Sequence, residues 1–156
     1  MKRQTGFTLI ELMVVIGVLG ILAATGVGFQ QKYRQRTVGA EAKVMMRQIL
    51  EGEIMYFLEH NEFFPKAGEN EIRVWNNGVD PSAADQQRAL DALKVAIPTG
   101  HSLDFRVYRD PLDPTGSPAT VEITSAGNFN LFPGAPNGIR GTVNKNGEMP
   151  WPPDQF

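Results

Sequence analysis

An uncharged apolar stretch near the N-terminus constrains this chain more than any other feature. No charged residue occurs within residues 12–29, and residues 7–10 extend the apolar stretch on the other side of Glu11. About 20 helical residues are needed to span a bilayer core roughly 30 Å thick. The stretch therefore predicts a single membrane-spanning helix, with Lys2 and Arg3 keeping the N-terminus cytoplasmic.

A secretory signal peptide is the first alternative, because residues 23–25 (Ala-Ala-Thr) imitate a small-residue cleavage site. Two observations oppose it. The apolar stretch continues past these residues, and Glu11 lies near its start. A carboxylate in hydrocarbon is costly unless it is paired, so Glu11 has either a partner or an interfacial position beside lipid headgroups.

Composition excludes several classes of function. The 156 residues carry a net charge of −2, no cysteine and only two histidines. A mildly acidic chain offers no electrostatic footprint for nucleic acid, and the lack of cysteine excludes disulfides and thiolate metal sites. Ser102 follows His101, but no acid is placed to orient that imidazole as in a catalytic triad. We therefore expect no enzymatic activity and no cofactor.

Residues 30–61 turn polar while the helical period persists, which predicts one long helix over roughly residues 8–59. Its apolar face comprises Val38, Ala42, Met45, Met46, Ile49, Leu50, Ile54, Tyr56 and Phe57. Pro65 disfavours helical geometry at Phe64 and so ends the helix before it. This face predicts packing against a small domain that follows.

The remainder, residues 62–156, is rich in turn-forming residues and has short alternating patterns. A short helix is predicted over residues 82–95, with Ser82 as its N-cap. Strands are predicted at residues 102–109, 120–124, 128–132 and 139–144. The expected fold class is α+β, with a long N-terminal helix packed on a small antiparallel sheet.

The hexapeptide Gly6-Phe7-Thr8-Leu9-Ile10-Glu11, followed by an apolar helix, resembles the processing motif of type IV prepilins and type II secretion pseudopilins. The resemblance implies cleavage between Gly6 and Phe7 by a prepilin peptidase, then N-methylation of Phe7. It divides the chain into a leader (1–6), a transmembrane and filament-core segment (7–29), an amphipathic segment (30–61) and a globular, pilin-like domain (62–156).

The same resemblance implies that Glu11 neutralises the N-terminal amine of a neighbouring subunit in a helical filament. Pairing two charges in an apolar core selects the register of assembly more than it adds stability. Small residues also allow helices to approach closely in membranes. The candidate packing glycines are Gly17, Gly20, Gly26 and Gly28.

By this resemblance the precursor is single-pass in the bacterial inner membrane, and an assembly platform polymerises it. The first expectation is a surface pilus used for adhesion, motility or DNA uptake. The alternatives are a periplasmic pseudopilus that supports type II secretion, and a membrane-tethered binding or enzymatic domain. The absence of a catalytic cluster opposes the last of these.

We expect no metal site; the resemblance raises calcium binding as an alternative, because major pseudopilins carry a calcium site in loops of this region. Its candidate ligands are Asp104, Asp110 and Asp113. Their spacing matches no EF-hand, which favours aspartates that only form turns. The C-terminal tail, residues 150–156, either packs on the sheet or contacts a neighbouring subunit through Trp151 and Phe156.

Overall fold

A computed structural model describes residues 7–66, 68–76, 83–98, 100, 102–109, 119–127, 129–132 and 137–149, without the side chains of residues 27, 28 and 31. The elements follow the order helix, strand, helix and three strands. Contacts divide the chain into two compact units between Arg34 and Gln35. The expected α+β class with a long N-terminal helix and an antiparallel sheet is confirmed.

The first helix, α1, spans Leu9–His60, within about a residue of the predicted bounds. Asn61 ends it in the left-handed region, with a φ of 56°. The Asn61 N–H donates to the Phe57 carbonyl at 2.7 Å. Asparagine tolerates this conformation better than most residues, and this makes it a suitable residue to close a helix.

Four antiparallel strands form one sheet in the order β1-β2-β3-β4. Their bounds are Ile72–Val74 (β1), Leu103–Tyr108 (β2), Ala119–Ser125 (β3) and Gly138–Val143 (β4). Cross-strand pairing puts Phe105 opposite Ile123, and Ile123 opposite Ile139. Because side chains alternate along a strand, this register gathers the apolar residues on one face.

The C-terminal part of α1 packs on that apolar face. Ala42, Met46, Ile49 and Leu50 are fully buried, and Val38 and Phe57 are partly buried against the same core, so the predicted apolar face is confirmed. The closest approach is at Gly141 of β4, where a Cβ would lie 2.7 Å from Met46 Sδ and 3.0 Å from Leu50 Cδ1. The absence of a side chain there lets helix and sheet meet.

The second helix, α2, spans Ala83–Leu93, close to the predicted range; Ser82 lies outside the described residues. It docks on α1 at Gly52, where a Cβ would lie 2.7 Å from the Leu93 carbonyl oxygen. At its other end Asp85 accepts the Arg73 N–H of β1 at 3.0 Å. The close contact at Gly52 of α1 and the hydrogen bond of Asp85 to β1 thus fix the position of α2.

The strand expected at residues 128–132 is wrong. Residues 129–132 form no strand, and residue 128 lies outside the described residues. Both edges of β3 are already paired, and the segment instead buries Leu131 and Phe132. A Cβ on Gly39 of α1 would lie 2.8 Å from the Leu131 carbonyl oxygen. The alternating pattern there reflects burial of side chains rather than strand pairing.

Candidate functional site

The start of α1 is closed by a reciprocal pair of residues. The Thr8 hydroxyl oxygen accepts the Glu11 N–H at 3.3 Å. In return, Glu11 Oε2 accepts the Thr8 hydroxyl at 3.4 Å and the Thr8 N–H at 3.5 Å. This is the capping-box arrangement, in which a threonine N-cap and a glutamate three residues later satisfy exposed amides at a helix start. The Thr-x-x-Glu spacing was a sequence signal for it.

The predicted processing junction is described on one side only, because Gly6 lies outside the described residues. Phe7 immediately precedes the capping pair, and its side chain is 79% exposed. Glu11 is also exposed. The predicted amine-bearing residue and the predicted assembly carboxylate therefore both lie at the accessible start of α1.

The apolar segment, defined as Leu9–Gly26, is long and apolar enough to cross a membrane, and none of it is buried against the part of the chain that the structure describes. Its large side chains are about half to four-fifths exposed: Leu9, Ile10, Leu12, Met13, Val14, Val15, Ile16, Val18, Leu19, Ile21 and Leu22. A continuous exposed apolar surface of this kind indicates contact with lipid or with other protein.

The predicted packing glycines have open surroundings. Among the described residues, no neighbouring atom would lie within 4 Å of a Cβ placed on Gly17, Gly20 or Gly26. Gly28 belongs to the positions of α1 whose side-chain surroundings the structure does not describe. Packing against the described residues therefore gives no reason for glycine at these three positions, in contrast to Gly39 and Gly52.

Of the three calcium candidates, only Asp104 is described. It is 5% exposed, and its Oδ1 accepts the Asn76 N–H at 2.5 Å. It lines a small open pocket with Trp75, Arg106 and Glu122. In the described part of the chain no group of three or more possible metal ligands comes together. Asp110 and Asp113 lie outside that part, as does the C-terminal tail, so the structure does not test the calcium alternative.

Sequence reasoning missed Glu53, a glutamate of α1 that is fully buried. Its Oε2 accepts the Phe64 N–H at 3.0 Å, so it joins the helix to the turn that follows. Burial raises the pKa of its carboxyl to about 8. The signal was present in the helical period, since Glu53 follows Ile49 by four residues and precedes Tyr56 by three, on the apolar face.

Comparison with known proteins gives two kinds of match. Residues 1–27 match the family model described as the prokaryotic N-terminal methylation motif. A type IV major pilin protein PilA from Myxococcus xanthus is 36% identical over 67 residues, which is 43% of this chain and 30% of that protein. A fimbrial protein from Neisseria meningitidis is 42% identical over 60 residues, covering 38% and 35%.

A fimbrial protein from Pseudomonas aeruginosa is 57% identical over 37 residues, 24% of each chain. The chain thus spans about a third or less of the length of these relatives. No solved structure matches it. The relatives are named as pilins and fimbrial proteins rather than enzymes, in agreement with the expectation of no enzymatic activity. This chain therefore carries a prepilin-type methylation motif and is similar to type IV pilins.

Proposed function

We propose that this chain is a structural subunit of a type IV pilus-like filament. The observation that carries the proposal is the methylation motif at residues 1–27, joined to an apolar segment that no described residue of the chain buries. An enzyme or binding domain that only needed an anchor would require the segment but not the motif. The similarity to type IV major pilins supports the same reading.

The precursor resides in the inner membrane with the leader cytoplasmic, and a prepilin peptidase cuts between Gly6 and Phe7. The apolar segment is retained and the new amine of Phe7 is methylated. An assembly platform then draws the subunit from lipid into the filament. Exposed apolar side chains suit both environments, because neither contains water. Open glycines at 17, 20 and 26 leave room for neighbouring helices.

Glu11 acts in register selection. In the free subunit its carboxylate receives the Thr8 hydroxyl and amide through long hydrogen bonds of 3.4 and 3.5 Å. The ammonium of Phe7 on an adjacent subunit is a stronger partner, since opposite charges attract strongly in an apolar core. A misaligned subunit would bury both charges unpaired at a cost of several kcal/mol, so alignment is favoured.

The test separates the charge of Glu11 from its capping role. Glu11→Val removes both, and should leave membrane insertion and leader cleavage intact while greatly reducing incorporation into filaments. Glu11→Gln keeps an acceptor for Thr8 but no charge. Strong loss of incorporation in both variants supports charge pairing. Assembly of Glu11→Gln at the wild-type level would contradict it, and assembly of Glu11→Val would remove the role of Glu11 altogether.

The location of the filament decides which machine the subunit serves. Electron microscopy of sheared surface fibres, with the protein in them identified, should find this chain. Its recovery only in short periplasmic filaments would assign it to a type II secretion pseudopilus instead. A calcium-dependent rise in melting temperature would point the same way.

A further inference from the structure

Only one of the two carboxyl oxygens of the buried Glu53 has a hydrogen-bond partner among the described residues. Its Oε2 accepts the Phe64 N–H, while Oε1 has no hydrogen-bond partner among the described residues. Desolvation is the main cause of the raised pKa of Glu53, about 8, and it outweighs the opposing effects of the Phe64 N–H and the positive charge of Arg109. The neutral carboxyl therefore predominates at neutral pH, and ionisation leaves a buried charge in need of a partner.

Arg109, directly after β2, is the complementary group. Its Nη2 donates to the Phe63 carbonyl and lies 3.6 Å from Glu62 Oε2. Its Nε is buried and has no hydrogen-bond partner in the part of the chain that the structure describes. The guanidinium has five N–H donors in a rigid fork, so a small rotation changes which acceptor each donor meets.

We propose that Glu53 and Arg109 form a proton-operated latch between α1, the turn at residues 61–65 and the end of β2. With Glu53 protonated, Arg109 holds the Phe63 carbonyl and the carboxylate of Glu62. When Glu53 releases its proton to solvent, Arg109 turns its Nε toward Glu53 Oε1 and its ion pair with Glu62 weakens. The exchange pairs two atoms that are otherwise buried and unpartnered.

The protonated and ionised states of Glu53 differ in free energy, because the Arg109–Glu62 ion pair is partly exposed while Glu53 is buried. The Glu62 side chain is 36% exposed and that of Arg109 is 27% exposed, so their pair is partly screened by solvent. A charged Glu53 is fully buried, and an uncompensated charge there is far more costly. Ionisation of Glu53 therefore favours movement of the Arg109 guanidinium toward Glu53. This movement weakens the contact of Arg109 with Glu62, and so the contact between the turn and the end of β2. This inference does not depend on the proposed filament function.

Other ionisable groups surround the latch. They are Tyr56 of α1, Glu62, Lys66 and Glu69 of the following turn, Arg88 of α2, and Arg109. Burial raises the pKa of Tyr56 above 10.0, so it stays neutral between pH 5 and 9. The exposed His60 stacks on Tyr56 with ring centroids 4.1 Å apart. Because its imidazole lies beside Tyr56, a variant without it serves as a control.

The full chain in detergent micelles, labelled with ¹³C at glutamate carboxyls and ¹⁵N at arginine side chains, permits a direct NMR titration from about pH 5 to 9. Glu53 should titrate well above the other glutamates, and the Arg109 Nε resonance should move with the same midpoint. His60→Gln should change neither midpoint. Glu53→Gln should abolish the Arg109 shift, and if that variant does not fold, the wild-type titration still decides.

Three outcomes would overturn the latch. The first is an Arg109 resonance that stays constant while Glu53 ionises. The second is an Arg109 shift that disappears in His60→Gln, which would assign it to the histidine. The third is a Glu53 carboxyl that titrates together with the exposed glutamates.

Discussion

The two parts of α1 use apolar residues in opposite ways. In the apolar segment Leu19 is 58% exposed, whereas Leu50 in the packing segment, residues 38–57, is fully buried. The packing segment satisfies its apolar face inside the chain, against the sheet. The apolar segment is not buried against any residue that the structure describes, and we propose that its partner is lipid or another protein. One helix thus contributes its packing segment to the fold and, as we propose, its apolar segment to assembly.

Glycine shows the same division. Gly39 and Gly52 lie where another segment approaches, each with a backbone oxygen less than 3 Å from a hypothetical Cβ. Gly17 and Gly20 face open space. Glycine lowers helix propensity by about 1 kcal/mol relative to alanine, so each has a cost. Gly39 and Gly52 offset that cost by close packing within the fold. We expect Gly17 and Gly20 to offset it only by close packing between subunits.

Leucine truncation should give the largest contrast. Leu50→Ala leaves a cavity between helix and sheet, and we expect it to lower the free energy of unfolding by about 2–5 kcal/mol. Leu19→Ala is the matched control and should change unfolding of the sheet domain by less than about 0.5 kcal/mol. Denaturant unfolding of the full chain in micelles measures both. Equal losses would contradict the division of α1 into two parts.

The pH dependence of stability should come next in size. Glu53 keeps its proton up to about pH 8 when folded, whereas its ordinary pKa is 4.5. Between these values the folded state binds more protons, so this contribution is complete below about pH 4.5 and is lost as pH rises through about 8. The slope is at most about 1.4 kcal/mol per pH unit.

Urea unfolding between pH 5 and 9 measures this slope. Glu53→Gln has the same shape but cannot ionise, so it should remove much of the fall in stability seen in the wild type. Glu51→Gln, an exposed partner of Arg47 at 2.8 Å, is the control on the same helix. An unchanged slope in Glu53→Gln would show that the buried carboxyl is not its source.

Glycine substitution should have a smaller effect and tests the close approaches. Gly52→Ala puts a Cβ about 2.7 Å from the Leu93 carbonyl oxygen, and overpacking of this kind costs about 1–3 kcal/mol. Gly20→Ala should leave the sheet domain as stable as before and should reduce filament yield. Thermal melting and quantitative recovery of sheared fibres are the two measurements. Equal destabilisation by both variants would refute the contrast.

The cap of α1 should give the smallest effect. Thr8→Ala removes the hydroxyl that accepts the Glu11 N–H, and loss of an N-cap typically costs about 1 kcal/mol. Faster amide exchange confined to the first turn of α1, with unchanged exchange in β2 and β3, is the expected result. Unaltered exchange at Leu12 would mean that the capping pair does not hold the helix start.

Sequence patterns predicted α1, its buried face, α2 and three of the four strands, because long periodic segments carry a strong signal. They missed β1, since three residues are too few to show a period. They also misread residues 129–132, where Leu131 and Phe132 are buried against α1 at Gly39 and produce an alternating pattern like that of a strand. The helical period places Glu53 on the apolar face, but it could not show the hydrogen-bond partner that accompanies burial of this carboxyl, the Phe64 N–H 11 residues further along the chain. Such long-range contacts leave no local pattern.

We propose that the mature chain begins at a processed Phe7 and keeps the apolar segment for assembly. Mass spectrometry of the mature protein recovered from sheared fibres tests it most directly. We expect a terminal peptide that starts at Phe7 and carries an N-methyl group. A mature terminus after Ala24, with the apolar segment removed, would contradict it.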